Sequence, residues 1–124
     1  MAGSNGDGAV DIFAKPAAGW KNMTETAELF ASVPTQNFGH AVGISGTQVV
    51  VGTYSGTSNV VFVYARPKGG WQSTSTPKTT LSGGQGLNFF GMSVGIDGHA
   101  IVAGAPDQSV NSHIDQGAAY VFGN

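Results

Sequence analysis

The chain repeats itself, and that constrains its fold more than any single residue does. The segment from Asn59, Val60-Val61-Phe62-Val63-Tyr64 through Pro67 to Trp71, matches Gly8, Ala9-Val10-Asp11-Ile12-Phe13 through Pro16 to Trp20 at an offset of 51. Phe38-Gly39 and Ala41-Val42-Gly43-Ile44 match Phe90-Gly91 and Ser93-Val94-Gly95-Ile96 at an offset of 52. The same register carries Val49-Val50-Val51-Gly52 onto Ile101-Val102-Ala103-Gly104. Gly117-Ala118-Ala119-Tyr120-Val121-Phe122 repeats the Asn59 segment once more, at an offset of 58. The repeats divide the chain into a leading segment 1–7, repeat 1 over 8–58, repeat 2 over 59–116, and the start of a third over 117–124.

Each repeat reads as short strands. Val49-Val50-Val51, Val60-Val61, Phe62-Val63-Tyr64 and Tyr120-Val121-Phe122 are β-branched or aromatic runs, which suit a pleated, half-buried surface. Ser45-Gly46 and Asp97-Gly98 sit between such runs and predict tight hairpin turns, because glycine supplies positive φ there. Pro16 to Gly19 and Pro67 to Gly70 are turn clusters. One window, residues 24–31, is helix-like, but its counterpart 73–81 is rich in Ser and Thr and contains Pro77. Both are read as strands. The predicted fold is all-β: two four-stranded antiparallel blades of a β-propeller plus a duplicate strand, completed by oligomerisation. Numbered by their place in a blade, the strands run 3-4, 1-2-3-4, 1-2-3.

The blocks Phe38-Gly39 and Phe90-Gly91, then Gly104-Ala105-Pro106, then the run from Gly117 to Phe122, resemble the FG-GAP repeat of integrin α-like propellers. The Lys15-Pro16-Ala17-Ala18-Gly19-Trp20 turn resembles bacterial members. The resemblance implies that Phe-Gly opens the innermost strand, that Gly-Ala-Pro ends the second, and that the Tyr-Val-Phe block is the third. It also suggests an extracellular or cell-surface setting. Repeat 1 departs from the pattern, with Gly52-Thr53-Tyr54 in place of Gly-Ala-Pro. The short hairpins also lack the Asp-rich calcium loop frequent in integrin-type blades.

Composition excludes several roles. The net charge of −2 gives no basic footprint for nucleic acid. No apolar run approaches the roughly 20 residues of a membrane span. The chain has no cysteine, so disulfides, thiolate metal sites and cysteine nucleophiles are absent. The first residues, Met1 to Gly6, have neither the basic nor the apolar region of a signal peptide. Glycine is plentiful, 20 of 124 residues, against a usual share of roughly 7%. Much of it recurs at equivalent positions as blade punctuation.

Candidate chemistry is sparse. Gly91-Met92-Ser93-Val94-Gly95 matches the G-x-S-x-G nucleophile pattern, but a hairpin follows it where the motif needs a helix, and Ala41 stands at the equivalent position. Asn5, Asp7 and Asp11 form a weak calcium pattern whose first ligand position is Gly3. Calcium is the single cofactor the sequence raises. His40, His99 and His113 lack metal spacing, and Asp97 and Asp115 read as turn residues. Asn22-Met23-Thr24 fits a glycosylation sequon, relevant in a eukaryotic secretory host. Trp20 and Trp71 recur at one blade position and, with Tyr54, are the candidate ligand-binding aromatics. A covering role at the blade edge competes with sugar stacking for both tryptophans.

The expected function is therefore a non-catalytic interaction or scaffold module. A carbohydrate-binding lectin with sites between blades is the alternative, and a hydrolase stands third. Two blades alone would leave apolar faces in water, so a homo-oligomer is expected. A trimer with about six blades is favoured, with four or eight as alternatives. A glycan or protein ligand is the expected further partner. The ninth strand is surplus to two blades: it is exchanged, displaced, or the mark of a fragment of a longer propeller.

Overall fold

The computed structural model describes residues 8–33, 35, 37–53, 59–83 and 89–123. Nine strands form: β1 (Val10–Ile12), β2 (Ala27–Leu29), β3 (Ala41–Ser45), β4 (Gln48–Gly52), β5 (Val60–Ala65), β6 (Thr79–Ser82), β7 (Ser93–Asp97), β8 (Ala100–Ala105) and β9 (Ala118–Phe122). All pairings are antiparallel, and the described residues contain no helix. The helix-like window 24–31 contains β2, and 73–81 runs into β6, as the strand reading requires.

The strands divide into three sheets, ordered β1-β2, β3-β4-β5-β6 and β7-β8-β9. One complete four-stranded blade thus lies between two part-blades. Matched to a full blade, they supply strands 3-4, 1-2-3-4 and 1-2-3, the order expected from the repeats. The second four-stranded blade is not assembled within one chain; its strands are split between the two part-blades.

Local sequence explains the hairpins. Ser45 pairs with Gln48 and Asp97 with Ala100, leaving two-residue loops. Gly46 and Gly98 open those loops at φ 57° and 58°, where a side chain would be strained. The Pro16 and Pro67 turns close through Gly19 N–H and Gly70 N–H bonds to the proline carbonyls, both 3.0 Å.

Two cores hold the three sheets together. Ile12, Ala27 and Leu29 of the first part-blade pack on Phe38, Val49, Val51, Phe62 and Tyr64. On the opposite face, Val50, Val61 and Val63 pack on Phe90, Ile101, Ala103 and Ala105 of the second. The central strands are therefore covered on both sides. This is why β4 and β5 read as unbroken apolar runs instead of alternating ones. Each such side chain contributes about 1.5–3 kcal/mol on burial. The two cores are built on matching aromatic triads. Phe38 meets Phe62 and Tyr64 at centroid distances of 5.6 and 6.2 Å, and Phe90 meets Tyr120 and Phe122 at 5.4 and 6.1 Å. Tilted and edge-on contacts of this kind suit the ring quadrupoles.

The sheets are also tied at their rims. Leu29 bridges to Thr74, with Phe30 N–H donating to the Thr74 carbonyl and Thr74 N–H to the Glu28 carbonyl, both 3.0 Å. The Tyr64 hydroxyl donates to the Phe30 carbonyl. Burial pushes the Tyr64 phenol well above its ordinary value. No helix among the described residues is long and apolar enough to cross a membrane.

Candidate functional site

The features most open to a partner are the two end faces. On the β7-β8-β9 sheet, Val102 and Val121 are 42% and 75% exposed. Their repeat-equivalents in the central blade, Val50 and Val63, are 0% and 1% exposed. A shallow groove of about 220 Å³ runs over this outer face, lined by Ser93, Val94, Gly95, Val102, Gly104 and Ala119. At the other end, Val42 and Ile44 of β3 are 55% and 62% exposed. They line an apolar cleft of about 220 Å³ together with Val10, Ile12, Phe13 and Val49. Among the described residues the first part-blade supplies two strands, matched to strands 3 and 4 of a full blade. The inner end of the central blade's face is left uncovered where strands 1 and 2 would lie.

Two further depressions lie elsewhere, and the first is the more polar. Gln48, Lys78, Thr79 and His99 border one of about 200 Å³ between the central and second part-blades. There the Gln48 amide nitrogen lies 3.3 Å from His99 Nδ1, and Gly98 N–H donates to the Ser45 hydroxyl at 2.9 Å. At the opposite mouth, His40, Met92, Ser93, Pro106 and Ala118 line a hollow of about 420 Å³. Ser93 starts a β-strand that leads through a hairpin into β8. The strand-to-helix elbow that would activate it is absent there. Among the described residues that line this hollow there is no aspartate or glutamate.

The structure separates the sequence candidates. Trp20 is 64% exposed after β1, whereas Trp71 is half-buried and leans on the first core. The two sit on different sheets. Tyr54 lies outside the described residues, as do Asn5 and Asp7. Asp11, the third calcium candidate, is an exposed residue of β1 opposite Glu28. Among the described residues no group of three or more His, Asp or Glu side chains is placed to hold a metal. His113 lies in the β8–β9 loop, where its N–H donates to the Val110 carbonyl at 2.8 Å.

Sequence reading passed over Val42, Ile44 and Ile114. Ile114 is 82% exposed in a loop where Asn111, Ser112 and Asp115 all adopt positive φ. A signal for the end face was present in Asp11. It stands where the other two copies carry Phe62 and Tyr120, which marks a position no longer packed as in a complete blade.

The described residues thus form an all-β arrangement of antiparallel sheets packed on two cores. The family model described as FG-GAP repeat matches residues 74–122, from the Thr74 bridge to the end of β9. That match takes in Phe90-Gly91, Gly104-Ala105-Pro106 and Tyr120-Val121-Phe122, the blocks that resemble the same repeat. No curated protein and no solved structure matches the chain.

Proposed function

We propose that the chain is a non-catalytic β-propeller module that serves as an interaction or scaffold element and self-assembles through its blade faces. The observation that carries this reading is the contrast between equivalent residues. Val50 of the central blade is 0% exposed, while its repeat-equivalent Val102 is 42% exposed; Val42, at the other end, also lies open. A blade of this sequence is built to be covered on both sides, and exposed apolar faces of this kind favour association. Three chains, each supplying about two blades, give a closed ring of about six. Light scattering tests this. The expected result is a discrete particle of three 12.6 kDa chains, or another small closed number. A folded, monodisperse monomer overturns self-assembly.

A carbohydrate-binding reading draws on one observation, the open indole of Trp20. Aromatic faces of this kind stack on sugar rings. Its test is a glycan array. Binding lost in Trp20→Ala and retained in Ser93→Ala supports a lectin; silence across a broad array removes that reading.

A further inference from the structure

The hairpins 41–52 and 93–104 are equivalent, and the way one sits on the other supplies a template for a contact between chains. Within the chain, an added Cβ on Gly43 would stand 3.3 Å from Ile96 Cγ2, and one on Gly52 would stand 3.3 Å from Val94 Cγ1. Ile96 and Val94 are thus the knobs, and the side-chain-free strip at Gly43 and Gly52 is the groove that admits them. A larger residue in that strip would crowd them out.

Both halves of this contact occur a second time, and both are unmated. The repeat-equivalents of the knobs are Val42 and Ile44, 55% and 62% exposed at the rim of their cleft. The repeat-equivalents of the groove are Gly95 and Gly104, on the open outer face of the β7-β8-β9 sheet. Val102 beside them repeats Val50, which is fully buried in the mated copy. Each chain therefore holds one finished joint, one spare set of knobs and one spare groove.

We propose that Val42 and Ile44 of one copy seat in the Gly95–Gly104 groove of a second copy, repeating between chains the contact that Val94 and Ile96 make within one. The proposal rests on the self-assembly reading and names the surfaces that carry it. The contact is head-to-tail, because the two mating surfaces differ, and such contacts close into rings when the rotation permits. It also sets the two third strands in competition. The docked hairpin brings β8 beside the edge of β1 that no strand occupies among the described residues. β1 and β9 are equivalent third strands, so they compete for the outer edge of β8. In the register that pairs Ala103 with Tyr120, the incoming β1 would set Asp11 opposite Ala103.

The absence of cysteine makes the test clean. Ile44→Cys and Gly95→Cys are prepared as separate variants, mixed, and oxidised mildly. The template places the two positions side by side, since an added Cβ on Gly43 would stand 3.3 Å from Ile96 Cγ2 and 3.8 Å from the Ile96 nitrogen. A covalent heterodimer at least about tenfold above the dimer from either variant alone is expected. The double variant Gly43→Cys/Ile96→Cys should close within one chain. Absence of that excess, with a light-scattering mass of several chains, overturns this joint and leaves self-assembly standing. A monomer mass overturns both. Val42→Glu gives an independent measure that needs no disulfide. It should shift the particle toward the mass of one chain, and an unchanged mass with native circular dichroism overturns the joint.

Discussion

Strands β4 and β8 have nearly the same sequence pattern and different surroundings. In β4, Val49, Val50, Val51 and Gly52 are all buried; in β8, burial alternates, with Ile101, Ala103 and Ala105 buried and Val102 exposed. Register, turn and partner order are the same in both hairpins. The difference lies in whether a second sheet covers the outer face. Burial in a blade repeat is thus set by the neighbour more than by the strand, as expected for architectures in which each unit packs on the next.

The sharpest way to break the comparison is to charge both strands at one equivalent position. Val50→Asp places an unpaired carboxylate in a core with no opening, and a loss of about 4 kcal/mol or more is expected. Urea denaturation should then find little folded protein. Val102→Asp should leave the single chain folded, because its side chain faces solvent there, and should instead lower the solution mass. If the two variants unfold alike, the open face of β8 is as covered as that of β4, and the contrast drawn here fails.

The aromatic triads make the opposite comparison, since they are matched in both blades. Phe38 and Phe90 are 3% and 0% exposed and meet equivalent rings. Phe38→Ala and Phe90→Ala should therefore cost similar amounts, about 3–5 kcal/mol each. A much milder effect of Phe90→Ala would mean that the second part-blade contributes little to global stability. Thermal melts of the two variants side by side decide it.

A smaller difference is expected at the glycines that end the second strand. An added Cβ on Gly52 would run into the Gly91 backbone carbonyl, whereas one on Gly104 would meet only the Ser93 hydroxyl. A side chain can rotate away and a carbonyl cannot. Gly52→Ala should cost about 2 kcal/mol through forced backbone shifts. Gly104→Ala should cost clearly less, and Gly104→Ala combined with Ser93→Ala less still. Equal chemical-denaturation midpoints for the two single variants would contradict this.

Much of the fold was legible because its determinants are local. The β-branched runs and the Gly46 and Gly98 turns lie within a few residues of the pairs they create, so the strand order followed from the repeats. The division into two, four and three strands, and the burial that goes with it, depends on which blade stands beside which. Val50 and Val102 look alike in sequence, and only their position in the stack separates them. The candidate aromatics show the same limit. Trp20 and Trp71 occupy one repeat position, yet Trp71 leans on the first core while Trp20 stands 64% exposed. Asp11 was the readable exception, a charge in a column otherwise aromatic.

The least disruptive comparison is between Tyr64 and its repeat-equivalent Phe122, which differ by one hydroxyl. That hydroxyl links the central blade to the first part-blade by donating to the Phe30 carbonyl, beside the Ser73 hydroxyl, which accepts from Glu28 N–H. Tyr64→Phe removes the donor and leaves a part-buried carbonyl unpaired, for a cost of about 1 kcal/mol at neutral pH. The pH dependence has a definite sign. Burial raises the folded-state pKa of Tyr64 above its ordinary value of 10.0, so the unfolded chain loses this proton first. Stability from this group is complete below pH 10 and declines as pH rises beyond it toward the folded-state value. Wild-type protein should show a falling urea midpoint above about pH 10, and Tyr64→Phe should show a shallower fall. Parallel slopes for the two proteins would mean that the Tyr64 phenol ionises as readily in the folded chain as in the unfolded one, and that the blade junction is open to water.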